Sequence, residues 1–175
     1  MPNHTVQPFD PHRSALRSAY ILFITTQGFQ SFITLTIGGE IAASKGAELV
    51  RKWAQRVDQS ILGTGYRRYP DFRVQFIGVP EMLAGHAHYH LAATAPQPGA
   101  DLLTQSQFDF VAWEAWLSIC GTGKFHSREI DNQMETALYM TKDLYRQEVQ
   151  EGIILAKDFQ PVLPTPSDSN FTHMQ

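Results

Sequence analysis

Three histidines alternate in the run Gly85-His86-Ala87-His88-Tyr89-His90-Leu91. Side chains of an extended strand point to opposite faces in turn, so His86, His88 and His90 all project from one face. Ala87, Tyr89 and Leu91 take the other face and suit a core. A neutral imidazole is a good ligand for a divalent cation, and two of them at i and i+2 on one strand reach a single ion. Glu81 lies seven residues before His88, across a Gly-containing connection, and offers a carboxylate from the neighbouring strand end. Two imidazoles and one carboxylate leave coordination positions open for water or phosphate, as a catalytic site requires. The same alternation also describes an exposed polar strand face without a metal. Spacing alone does not separate zinc, manganese and magnesium.

The second constellation is Tyr139-Met140-Thr141-Lys142. The pattern predicts one helix from about residue 132 to residue 150. At about 100° per residue, Asn132, Glu135, Tyr139, Lys142, Asp143 and Arg146 share one arc of roughly 100°. Met134, Ala137, Leu138, Met140, Thr141, Leu144 and Tyr145 occupy the remainder. Tyr139 therefore projects from the polar face with Lys142 one turn away, and Tyr145 is expected on the packed side. A surface tyrosine with no chemical role satisfies the same pattern. Beside a metal the residue acquires a task. A phenol is a weak nucleophile at neutral pH because its pKa is about 10, and a nearby ammonium stabilises the phenolate. A divalent ion polarises a scissile phosphate, and the product is a covalent phosphotyrosine ester.

The elements that must position these groups follow from periodicity. Residues 14–27 place Leu16, Tyr20, Phe23 and Ile24 at helical spacing, although Ile24, Thr25 and Thr26 favour a strand. Residues 32–37 read as a short buried strand. Residues 47–62 form an amphipathic helix with the apolar stripe Val50, Trp53, Ala54, Val57 and Ile61. Further strands are predicted over 73–79, 86–94 and 124–130, with a turn or bulge over 80–85. A helix over 107–119 takes Ser106 as its cap, and Asp131 or Asn132 caps the last helix. The mixture predicts an α+β fold, with helices packed on one central antiparallel sheet of about five strands. The expected organisation is a loose arm over 1–12, one domain over 13–158 and a Pro-rich tail over 159–175.

Composition agrees with one globular domain. The chain has 175 residues, 43% hydrophobic and 18% charged, enough to bury a core without disulfides. The lone Cys120 excludes an internal disulfide and suits a reducing cytoplasm. No signal peptide or membrane span is recognisable. The formal net charge is -3, but residues 1–80 hold 9 Lys/Arg against 5 Asp/Glu, and residues 81–175 hold 5 against 12. Arg51, Lys52, Arg56, Arg67 and Arg68 make up much of the basic excess and are candidate contacts to a nucleic-acid backbone. A solvated helix face followed by a basic loop is the alternative.

Taken together, these residues resemble the HUH endonuclease superfamily, named for His-hydrophobic-His, which includes rolling-circle replication initiators, relaxases and some transposases. Phe32-Ile33-Thr34-Leu35-Thr36 is similar to the first initiator motif, of Phe-x-Thr-Leu-Thr type. His88-Tyr89-His90 is similar to the metal-binding second motif, and Tyr139-x-x-Lys142 to the third. Glu81 corresponds to the upstream acidic ligand of several branches. The likeness covers residues 32–142. It implies a ferredoxin-like or RRM-like sheet and a Mn2+ or Mg2+ ion held by His88, His90 and Glu81. It implies sequence-specific nicking and rejoining of single-stranded DNA by Tyr139, assisted by Lys142, through a 5′-phosphotyrosine intermediate and a free 3′-hydroxyl. Its implied partners are single-stranded DNA or a hairpin origin, and a host helicase, at the start of rolling-circle replication of a plasmid, phage or mobile element. It selects His88 and His90 over His86, which has no assigned role. Some initiators carry Tyr-x-x-x-Tyr; here Asp143 stands at the second position. Alternatives are a relaxase- or transposase-like nuclease, a DNA-binding regulator that kept the fold without activity, and a metal phosphodiesterase that uses water.

Overall fold

The computed structural model describes residues 11–39, 41–83, 86–97 and 103–156. Its five strands are β1 (Ser31–Gly38), β2 (Gln75–Leu83), β3 (His86–Thr94), β4 (Lys124–Glu129) and β5 (Ile154–Leu155). They form one sheet in the order β4-β1-β3-β2-β5, and every neighbouring pair is antiparallel. The helices are α1 (Pro11–Gln27), α2 (Ala43–Leu62), α3 (Gln105–Ile119), α4 (Gln133–Met140) and α5 (Gln147–Glu151). From β1 to β4 the chain reads β-α-β-β-α-β with β1 and β3 in the middle, which is the split β-α-β arrangement of ferredoxin-like domains. The fold is thus α+β, with helices on a central antiparallel sheet. No helix among the described residues is long and apolar enough to cross a membrane.

Strand alternation sends two residue sets to two cores. Ile33, Leu35, Tyr89, Leu91 and Phe76 face the main core with Val50, Trp53 and Val57 of α2 and Phe108, Ala112 and Trp116 of α3. The two helices are tied by the indole N–H of Trp53, which donates to the Ala112 carbonyl at 2.9 Å. Gly46 lets α2 approach the sheet, since a Cβ there would lie 2.7 Å from the Tyr89 ring. On the opposite face, Phe32, Ile77, Val79 and Ala92 pack against Ile24 of α1 and Ala137 and Met140 of α4. The remainder of that second face carries the polar residues Thr34, Thr36, Glu81, His88 and His90.

Several elements depart from the sequence expectation. Ile24, Thr25 and Thr26 are helical, because the Thr25 and Thr26 hydroxyls donate back to the carbonyls of Ile21 and Leu22, at 2.9 and 2.8 Å, while Ile24 is buried. Helix α2 begins at Ala43, a turn earlier than expected. Thr104, not Ser106, caps α3, because only Thr104 has a glutamine, Gln107, three residues on to complete a capping box. Residues 80–83 are strand and not turn. Pro80 lies beyond the two-residue reach of β5, so among the described residues no strand pairs with it on that side of β2, where a proline is tolerated. The last helix stops at Met140. Turn bonds from Lys142 to Tyr139, Leu144 to Thr141 and Arg146 to Asp143 follow, and α5 starts anew. The break allows both Leu144 and Val149 to be buried. It also leaves Tyr145 52% exposed, so the expected packed position of that residue is corrected. Pro11 and His12 of the expected arm belong to α1, and the tail over 159–175 lies outside the described residues.

Candidate active site

The continuation of β2 through Pro80 has a chemical consequence: Glu81 stands directly across from His88 in the sheet register. On the other side of β3, Thr36 stands across from His88 and Thr34 across from His90. The Thr34 hydroxyl lies 3.1 Å from His90 Nδ1 and the Thr36 hydroxyl 3.0 Å from His88 Nδ1. Both rings are therefore anchored through Nδ1. His90 Nε2 lies 2.7 Å from Glu81 Oε2. The second carboxylate oxygen, Oε1, accepts from Lys142 Nζ at 2.5 Å.

Tyr139, near the C-terminal end of α4, completes the cluster. Its ring meets His90 edge-on at 5.2 Å between centroids and Phe32 at 5.8 Å. Phe32 in turn stacks on His90 at 5.4 Å. Lys142 Nζ lies 4.2 Å from the centre of the Tyr139 ring. The Tyr139 side chain is 45% exposed, so its hydroxyl is accessible to a ligand lying on the sheet. Residues 32–36, 88–90 and 139–142, separated along the chain, thus converge on one face.

Protonation states follow from burial and partners. Burial pushes the pKa of His90 down, and this outweighs the pull of Glu81, so the ring is held neutral. Burial raises the Glu81 carboxyl, but hydrogen bonds from Lys142 and His90 prevail and keep it below the usual carboxylate range. Burial lowers Lys142, yet the Glu81 carboxylate and the Tyr139 hydroxyl more than compensate and hold it charged. With His90 neutral and Glu81 anionic, the proton between them sits on Nε2, and His90 Nδ1 accepts from Thr34.

The donor set fits a divalent cation in its chemistry. It comprises two imidazoles anchored at Nδ1 and one anionic carboxylate on the same face. Among the described residues no group of three or more His, Cys, Asp or Glu side chains is already spread around a common ion position. His90 and Glu81 instead meet directly through Nε2. For His90 to bind a cation through Nε2, its proton must move to Nδ1, where the Thr34 oxygen can accept it. A hydroxyl serves either tautomer, as donor to a bare Nδ1 or acceptor from a protonated one.

The other sequence candidates are not brought to this face. Arg51, Lys52 and Arg56 lie on α2, which covers the opposite side of the sheet. Lys52 pairs with Glu48 at 2.9 Å, and Arg56 donates to the Ser118 hydroxyl. Arg67 and Arg68 lie in a 3-10 turn, Tyr66–Arg68, where Arg67 sits over the Tyr66 ring. The His86 side chain is outside the described residues. Sequence reasoning passed over Lys124, His126 and Arg128 of β4, which stand across from Thr36, Thr34 and Phe32 and so share the histidine face. The alternation Lys124-Phe125-His126-Ser127-Arg128 was the available signal. It also passed over Asp58, fully buried, which accepts from Arg73 Nε and the Val74 amide, both at 2.7 Å, on the main-core side. Comparison with family models, curated proteins and solved structures finds no match to this chain.

Proposed function

We propose that the chain is a metal-dependent, single-tyrosine endonuclease of the HUH type, acting in the cytoplasm on single-stranded DNA. The observation that supports this reading best is the meeting of Tyr139 with His90 and with Lys142, itself bound to Glu81. A nucleophile, a cation to hold its anion and three ligand side chains occupy one open sheet face. His88 and His90 would hold Mn2+ or Mg2+ through Nε2, with Glu81 as the third ligand. The bound ion supplies Lewis-acid polarisation of the phosphate.

The residues of the chain do the rest. The phenol proton of Tyr139 is lost to solvent, and the Lys142 ammonium stabilises the phenolate. The phenolate oxygen attacks phosphorus, the bond from phosphorus to the 3′ oxygen breaks, and that oxygen takes up a proton as the 3′-hydroxyl. One ester bond replaces another, so attack by a 3′-hydroxyl reverses the step and rejoins the strand. Initiation of rolling-circle replication, at a hairpin origin and with a host helicase, is the biological setting this chemistry serves; relaxase- or transposase-like strand transfer uses the same step.

The test is a denaturing gel of protein incubated with pooled single-stranded oligonucleotides and Mn2+. Wild type and Tyr145→Phe should cut and retain label on the protein, and Tyr139→Phe should do neither. Cleavage by Tyr139→Phe would assign the attack to water, and an adduct mapped by mass spectrometry to another residue would remove Tyr139 from its role.

A further inference from the structure

Strand β4 lies at the edge of the sheet next to β1 and sends Lys124, His126 and Arg128 to the histidine face. All three side chains are exposed. Among the described residues no carboxylate lies within ion-pair distance of Lys124 or Arg128. Their placement runs against the local composition, since residues 81–175 hold 12 Asp/Glu and only 5 Lys/Arg. Three of those five, Lys124, Arg128 and Lys142, are on this one face. Arg128 lies over the Phe32 ring at 4.9 Å, and Phe32 touches both His90 and Tyr139, so the row ends against the nucleophile.

We propose that β4 is the track that carries the DNA backbone into the site, with Lys124 and Arg128 each holding one phosphate and His126 between them. This inference rests on the nuclease reading above and names the path of its substrate. Alternate residues of a strand are about 6.7 Å apart, so Lys124 and Arg128 stand about 13 Å apart, of the order of two phosphate steps of an extended single strand, with His126 at the step between. A single strand laid along β4 has its bases free to turn over β1 toward the exposed Tyr139 ring of α4. The cations of α2 cannot serve this path, because they lie behind the sheet and Lys52 is already paired.

Charged side chains on an edge strand also discourage pairing with a second sheet. That role alone predicts self-association on their removal, with DNA binding unchanged. The experiment is fluorescence anisotropy of the full chain with a labelled random-sequence single-stranded oligonucleotide, in EDTA, across a salt series. Each phosphate contact on a single strand contributes about 0.7 to the slope of log K against log salt. Losing two should make the slope shallower by about 1.4 and weaken binding at 0.1 M salt about 25-fold, counting from 1 M. Lys124→Gln/Arg128→Gln is expected to show both effects, and Lys124→Arg/Arg128→Lys to bind like wild type, which separates lost charge from lost fold. If the Gln pair binds like wild type, or if Lys52→Gln/Arg56→Gln loses more, the track is wrong while the nuclease reading stands. If the wild-type chain binds no single strand, both fall together.

Discussion

Thr34→Val would show whether β1 tunes the proposed metal site or only packs beside it. The substitution keeps the branched shape and removes one oxygen, the group 3.1 Å from His90 Nδ1. His90 is 6% exposed, so water cannot readily take the vacated position. An orphaned buried polar group costs about 1–3 kcal/mol, and the metal-free protein should lose about 1 kcal/mol of stability to urea. That part is common to both forms and does not by itself weaken metal binding. The loaded form carries the additional cost, because there Nδ1 bears a proton and has no acceptor. The expected loss of Mn2+ affinity is therefore about tenfold, the low end for removing the hydrogen-bond partner of a metal-binding imidazole. Calorimetric titration with Mn2+ measures it directly. Thr34→Ser should restore binding, and Thr36→Val should cost less, because His88 is only half-buried and water can replace the lost hydroxyl. An unchanged Mn2+ affinity in Thr34→Val would show that this hydroxyl is not needed to accept the Nδ1 proton when His90 binds a cation.

In the proposed reaction Lys142→Ala should slow cleavage about 100–1,000-fold without abolishing it, since there the lysine stabilises the phenolate and does not itself attack; a single-turnover rate equal to wild type would exclude that role. Acidification should destabilise the metal-free protein. His90 is depressed below 6.5 and Glu81 below 4.5 in the fold, so the unfolded chain binds more protons. Stability contributed by His90 is complete above pH 6.5 and is lost as pH falls toward its folded pKa; the Glu81 contribution is lost at lower pH, below 4.5. A melting temperature in EDTA that rises from pH 7 to pH 5, with His90→Asn showing the same rise, would contradict this. Asp58→Ala should cost about 3–5 kcal/mol in urea denaturation, because it strands the Arg73 guanidinium, 4% exposed, without its carboxylate. Loss of less than about 1 kcal/mol would mean that the pair contributes little.

Local periodicity was enough to read much of the architecture. The alternation over His86–Thr94 matches β3 residue for residue, and with it the division of His88 and His90 from Tyr89 and Leu91. The stripe Val50, Trp53, Ala54 and Val57 similarly marks the buried side of α2. These features depend on where successive Cβ atoms point along one element, and the amino-acid order carries that directly. Non-local contacts decided the rest. Pro80 looks like a turn from its neighbours alone; among the described residues β5 pairs only with Ile77 and Gly78, so β2 tolerates the proline and continues, and this brings Glu81 opposite His88. The pattern over residues 132–150 suits a single helix, but burying both Leu144 and Val149 breaks it, which exposes Tyr145 and swings Lys142 to Glu81. Charge clustering along the chain points to Arg51, Lys52 and Arg56, whereas Lys124 and Arg128, which share the histidine face, have no carboxylate partner among the described residues. A sequence specifies which residues share a face of one strand or helix; which side of the sheet that face meets is set by crossover connections and strand order, and these exist only once the sheet has formed.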